Sequence, residues 1–306
     1  MPERCRLGQT SMMLGATKGR SDTARRVVMG AGWPAIAMFC AALLSAPLIA
    51  TNPTFTGEDW DVIRHGAELV LAGDSPYTDP KYRWSPVAAW LSVPLLVVPY
   101  WAWILLHVGA VLALRDWRAA AIALVSWPFW QDAGVGNVIA FVILAGWWAL
   151  RGSWVAIIAY LALCVLMPRP LMLPLAAWIL WTNPWARWPA AALVGGHSVL
   201  VALSGHGMEW LGVLANAAQV DTENPYALGP AKLIGMAWLV IGIPLALVLT
   251  RLGRVGLAGL AASPYWLPYY LLFLLLELPR ARNDTDLRRR ATTGPTRDRF
   301  MPSGRG

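Results

Sequence analysis

Between residues 52 and 83, six acids (Glu58, Asp59, Asp61, Glu68, Asp74 and Asp79) face three bases (Arg64, Lys81 and Arg83) in a chain otherwise poor in charge. Within that stretch Trp60, Ile63, Ala67, Val70 and Leu71 recur at helical spacing, which predicts a short amphipathic helix. Gly73 supplies its stop. Thr56 and Asp59 have capping-box spacing, with Asp where Glu or Gln is usual. Asp59 and Asp61 therefore open the helix. Carboxylates at that position either complement the helix N-terminus or serve as proton acceptors for a reacting hydroxyl, and spacing alone leaves both open. His65 lies on the same helix, solvated or facing a pocket. His206, Glu209 and Trp210 open a second polar stretch, 205–231. His107 and His197 lie in apolar runs and are expected to be hydrogen-bonded between helices rather than to act as ligands. No P-loop, HExxH, GxSxG or zinc spacing occurs. The three cysteines, Cys5, Cys40 and Cys164, form no disulfide or metal pattern.

The elements that must hold these residues are apolar. Hydrophobic residues make up 57% of the 306 and charged residues 14%, against roughly 45–50% and about 25% in soluble domains. The mean hydropathy is +0.49. Such a chain cannot cover a soluble surface, so an integral membrane protein is expected. The formal charge of +8 sits at the ends. Residues 1–31 and 279–306 are Arg-rich, lack apolar periodicity and are expected to be disordered cytosolic tails. That distribution does not suggest a nucleic-acid partner.

Between the tails, residues 32–278 contain apolar runs at roughly 32–50, 84–99, 100–114, 118–130, 136–150, 154–168, 170–183, 188–204, 232–250 and 255–278. The first reads as a retained anchor, too long for a signal-peptide core. Many others are shorter than a perpendicular span needs, and prolines interrupt them. Interrupted helices persist in lipid only where protein or a wet cavity covers the freed backbone. The expected fold is an all-α polytopic bundle of roughly 8–10 segments, some short or re-entrant. If 84–114 crosses once, Arg115, Arg118, Arg151 and Arg187 fall inside, and the stretches 52–83, 131–136, 168–170 and 205–231 fall outside. The last run must then double back near Ser263-Pro264. Trp101, Trp103, Trp127, Trp130, Trp181, Trp185 and Trp188 cluster near run ends, as interfacial belts do.

The order of short motifs carries more information. Gly57-Glu58-Asp59-Trp60-Asp61-Val62-Ile63 is followed by an amphipathic helix, by Gly73-Asp74-Ser75-Pro76-Tyr77 and by Trp84-Ser85-Pro86. Downstream come Gly134-Val135-Gly136-Asn137, Met167-Pro168-Arg169-Pro170 and Ser263-Pro264-Tyr265-Trp266-Leu267-Pro268-Tyr269. This series, over roughly 32–278, resembles glycosyltransferase family 87, mannosyltransferases of the GT-C superfamily that use a polyprenyl phosphate sugar. That family's loop reads Gly-x-Asp-(Leu/Phe)-x-Val-Tyr, followed by Gly-x-Pro-Tyr and Tyr-Pro-Pro, then Gly-Gln-Val-Asn, Lys-Pro-x-Pro and a late Ser-Pro-x-x-x-x-Tyr. Here Ile63 stands for the Tyr, Val135 for the Gln and Met167 for the Lys.

The resemblance implies a GT-C type membrane enzyme. It would move a hexose, mannose by analogy, from a polyprenyl phosphate sugar to a lipid or glycan hydroxyl on the outer face of the cell membrane, with inversion. Asp59 matches the family's catalytic Asp, with Asp61 as fallback. Arg169 would face the leaving phosphate, supported by Arg83 and Lys232. His65, Tyr77, Asn137, His206 and Glu209 are candidate substrate contacts. No cofactor is implied, and no metal is indicated by ligand spacing. The competing expectation is a non-enzymatic membrane protein, either a lipid or solute transporter or an assembly subunit. A transporter would carry ionisable residues in mid-segment, whereas here they gather at segment ends and in the 52–83 loop.

Overall fold

The computed structural model describes residues 56–223 and 229–278, and these are helical with no strand among them. The anchor expected at 32–50, the first residues of the 52–83 loop and both tails lie outside the described residues. Apart from Leu278, the described residues belong to one unit, Gly32–Glu277.

Helix α1 (Glu58–Ala72) buries Trp60, Ile63, Ala67 and Val70, the stripe that helical spacing dictates. Leu71, expected on that stripe, lies on the flank and is exposed. At Gly73 the backbone turns left-handed, with φ 84°, and its N–H bonds back to Val70. The capping box does not form. Gly57, at φ 65°, is the N-cap with no side-chain hydrogen bond, and the Thr56 hydroxyl accepts only from the Glu58 N–H.

Short helices follow, and their ends trace to particular residues. Ser85 caps α2 (Pro86–Leu91), with Pro86 in the first turn. A 3₁₀ turn at Val93–Val97 then leads through Pro99 to α3 (Tyr100–Leu112). Asp116 caps α4 (Trp117–Val125), and α5 (Trp127–Val135) ends on left-handed Gly136. The next two helices are α6 (Ile139–Ala149) and α7 (Trp154–Leu166), the latter capped by Ser153. Pro170 and Pro174 restart the chain as α8 (Leu173–Thr182). Beyond it lie α9 (Arg187–Leu203) and α10 (Gly207–Glu223). Helix α11 (Ala231–Ile234) joins α12 (Trp238–Arg251), which carries Pro244, and α13 (Val255–Ala262) follows. The chain then breaks at Ser263-Pro264, and a 3₁₀ run, Pro268–Glu277, is buried along its whole length. The side chain of Glu277 accepts the N–H groups of Gly256 and Leu257, closing the start of α13.

The stretch 205–231, expected as a loop, holds α10. The chain bends by 112° between Pro184–Leu203 and Gly207–Asn216, with Gly205 in the left-handed region at φ 77°. One continuous helical stretch, Lys232–Arg251 (20 residues), is long and apolar enough to cross a membrane. The other apolar helices among the described residues are shorter, or pass only as that bent pair.

The core holds Trp60, Tyr82, Phe129, Trp147, Tyr160 and Phe273, all fully buried. Trp103, expected in an interfacial belt, is also core, whereas Trp101 and Trp188 stand 65% and 82% exposed.

Candidate functional site

Three segments distant in sequence meet at the start of α1. The first contact is backbone to backbone, with the Gly57 N–H donating to the Gly134 carbonyl at 3.0 Å. This docks α1 on the turn between α5 and α6, where Gly136 adopts φ 80°. A Cβ at Gly136 would fall 2.4 Å from the Trp60 Cβ, so this close approach depends on glycine. Gly136→Ala is therefore expected to destabilise the fold by about 2–4 kcal/mol, combining left-handed strain with overpacking. Gly73→Ala has a similar φ but open space around the new Cβ, and should lose only about 1–2 kcal/mol. Denaturation of the two variants side by side separates the clash from the strain, and equal losses would show that the Trp60 contact carries no weight.

The close approach brings Asn137 to Asp59. The Asn137 Nδ2 donates to Asp59 Oδ2 at 2.5 Å and to the Tyr269 hydroxyl at 3.0 Å. Its Oδ1 accepts the Val138 N–H at 2.7 Å, which fixes the amide orientation. Asn137 is 1% exposed. Asp59, expected either to complement the helix end or to act chemically, thus turns its carboxylate towards the α5–α6 turn and the 3₁₀ run. Burial raises its pKa above the ordinary carboxylate value. The Arg169 charge and the Asn137 hydrogen bond pull it back, Glu58 pushes it up and Arg83 lowers it.

Arg169 sits between α7 and the Pro170 turn. Its guanidinium donates to the Tyr270 hydroxyl at 3.2 Å and lies 5.5 Å from the centre of that ring. Asp59, joined through Asn137 to Tyr269, and Arg169, bonded to Tyr270, are 110 positions apart in sequence and reach adjacent tyrosines whose ring centres lie 5.2 Å apart. A groove of 560 Å³ opens next to the Arg169 segment. Its walls include Pro168 and Pro170, on either side of Arg169, and Leu239, Ile243, Leu247 and Tyr265.

The remaining candidates lie elsewhere or do other work. Asp61 is exposed on the outer face of α1. His65 is exposed and 3.6 Å from Glu68. The Tyr77 hydroxyl donates to the Trp84 carbonyl, bracing the turn before α2. His206 and Glu209, 3.5 Å apart at the start of α10, form a second cluster in which the Ser75 hydroxyl donates to Glu209. Lys232 is exposed at the start of the 20-residue apolar stretch Lys232–Arg251. Lys81 pairs with Glu58 at 2.7 Å, tying the 79–83 segment to α1.

Sequence reasoning missed Tyr269 and Tyr270 as partners of Asn137 and Arg169, although Tyr269 ends a motif already singled out. It also missed Asp132, a fully buried acid whose carboxylate accepts the Ile139 and Ala140 N–H groups and so fixes the start of α6. A lone acid between two apolar runs was the available signal. Among the described residues, no three His, Cys, Asp or Glu side chains come together as a metal ion would require. Compared with protein-family models, curated proteins and solved structures, the chain gives no match.

Proposed function

We propose that this chain is a polytopic membrane glycosyltransferase of GT-C type, with both tails cytosolic and the α1 end on the outer face. It moves a hexose, mannose by resemblance, from a polyprenyl phosphate sugar to a hydroxyl acceptor. The observation that carries this reading is a crowded carboxylate, Asp59, joined through Asn137 to Tyr269, beside a cation, Arg169, held on the neighbouring Tyr270, with an apolar groove whose walls include the prolines on either side of Arg169. Membrane embedding is supported by the spanning helix and by large apolar side chains left exposed among the described residues, Trp101, Trp188 and Val240 included.

The chemistry follows from this arrangement. The acceptor oxygen attacks the anomeric carbon while Asp59 takes its proton. The bond from that carbon to the phosphate oxygen breaks, and its electron pair leaves with the polyprenyl phosphate. Arg169 stabilises the charge growing on the phosphate. Attack opposite the leaving group inverts the anomeric centre. The groove takes the isoprenoid tail, because a chain of hydrocarbon units asks for apolar walls and the phosphate asks for the adjacent cation. Arg83, whose charge also reaches Asp59, stands second to Arg169.

A photoreactive polyprenyl phosphate tests this placement. Peptides spanning 168–177 and 236–250 should be labelled, with unlabelled polyprenyl phosphate competing. Labelling spread evenly over the lipid-facing helices, with no competition, would contradict it.

A further inference from the structure

One stripe of α3 grips the turn that carries Asn137. Tyr100, Trp103 and His107 lie three and four residues apart, on one helical face. The Tyr100 hydroxyl donates to the Gly134 carbonyl, and the Trp103 Nε1 donates to the Gly136 carbonyl at 3.1 Å. His107 is fully buried. Its Nε2 lies 2.8 Å from the Asn137 carbonyl oxygen and 3.7 Å from Asp132 Oδ2, and its Nδ1 lies 2.9 Å from the Trp103 carbonyl.

The Asn137 carbonyl and the Val138 N–H belong to the same peptide unit, which is planar and turns as one body. His107 faces its oxygen end, while the Asn137 side-chain oxygen accepts from its N–H end. Tilting that plane therefore swings the Asn137 amide away from Asp59. Asp132 holds the same turn from behind, its backbone carbonyl accepting the N–H groups of Gly136 and Asn137.

We infer that His107 is a positioning residue for Asp59. By fixing the Asn137–Val138 peptide plane it aims the Asn137 amide at the Asp59 carboxylate. This rests on Asp59 being the base proposed above, but the aim of the amide can be read without any sugar transfer. The charged and titratable groups facing Asp59 are Arg169, Arg83, Glu58, Lys81 and Tyr269; His107 touches none of them directly and faces Asp132, which acts on Arg169 and Tyr269.

The test is an infrared titration of the Asp59 carboxyl band, assigned by its loss in Asp59→Asn, on full-length protein in lipid. In His107→Leu the ionised carboxylate loses the Asn137 hydrogen bond. Its titration should move to higher pH, by about one pH unit, the equivalent of one hydrogen bond. His107→Gln, which can place an amide N–H near the same carbonyl, should recover most of the shift. In sugar transfer, His107→Leu should lower kcat roughly tenfold while the donor KM stays within about twofold. An unmoved Asp59 titration in folded His107→Leu overturns the inference, whatever the transfer rate. If that variant fails to fold, Trp103→Phe decides, since it removes the donor to Gly136 while keeping an aromatic ring packed between Trp60, His107 and Phe141. A smaller shift in the same direction supports the inference, and no shift overturns it. A titration that moves as expected in a protein with no transfer would leave the positioning intact and remove the glycosyltransferase reading.

Discussion

Asp59→Asn is expected to lower sugar transfer roughly 100- to 10,000-fold at unchanged expression, the range of a lost general base. The substitution is clean for a structural reason. An Asn at this position can present its carbonyl oxygen to the Asn137 Nδ2, so the side-chain contact between α1 and the α5–α6 turn survives beside the Gly57–Gly134 backbone bond. Gly57 caps α1 without help from any side chain, so no capping bond is lost either. The fold should therefore change in stability by no more than about 1 kcal/mol. The exposed Asp61 serves as the control, and Asp61→Asn should transfer at close to the wild-type rate. The pH profile adds a second reading. A base must be ionised, and burial first of all raises the Asp59 pKa. Activity should then be full on the alkaline side and fall as pH drops, with the acid limb above the pH expected for an ordinary carboxylate. A dead Asp61 variant beside an active Asp59 variant would move the base two positions along α1.

Arg169→Ala should reduce transfer roughly 10- to 150-fold, the equivalent of about 1.5–3 kcal/mol for one charge-assisted contact. Steady-state kinetics with varied donor would measure it. Arg169→Lys keeps the cation but loses the planar fork and its place against Tyr270, so it should recover part of the rate and not all of it. A guanidinium that merely ended a segment would give three proteins of equal activity. The change also separates two roles of Arg169. Its charge lowers the Asp59 pKa, so in Arg169→Ala the acid limb should move to higher pH as well as the plateau falling. Loss of rate with an unmoved limb would confine Arg169 to the donor.

Much of α1 was legible in the sequence, because an apolar stripe of period 3.6 and a terminal glycine are local signals. Trp60, Ile63, Ala67 and Val70 point inward as their spacing requires, and Gly73 ends the helix. The break at Ser263-Pro264 was expected on other grounds, from the side on which the Arg-rich tail should end, and the helix does stop at Ala262. The region 205–231 misled because Glu209 opens α10 and Asp221 and Glu223 close it, so a helix with acids at both ends read as a polar loop. Trp103 misled in another way. Tryptophan suits both an interface and a core, and only the carbonyl of Gly136 across the turn decides between them. The site itself was half legible. Asp59, Asn137 and Arg169 carry motif spacing, but their meeting depends on a close approach that only left-handed Gly136 permits. The partners that tune them, Tyr269, Tyr270, His107 and Asp132, are joined through contacts spanning up to 132 positions, which no local period encodes.

The most direct measurement follows the fate of a labelled donor, polyprenyl phosphate carrying radioactive mannose, in liposomes that contain the purified chain and an extract of membrane acceptors. The proposed enzyme should free one polyprenyl phosphate for each sugar that appears on an acceptor, and the Asp59→Asn protein should free almost none. A donor that stays intact, or that only changes leaflet to the same extent with wild-type and Asp59→Asn protein, would contradict sugar transfer and favour a transporter.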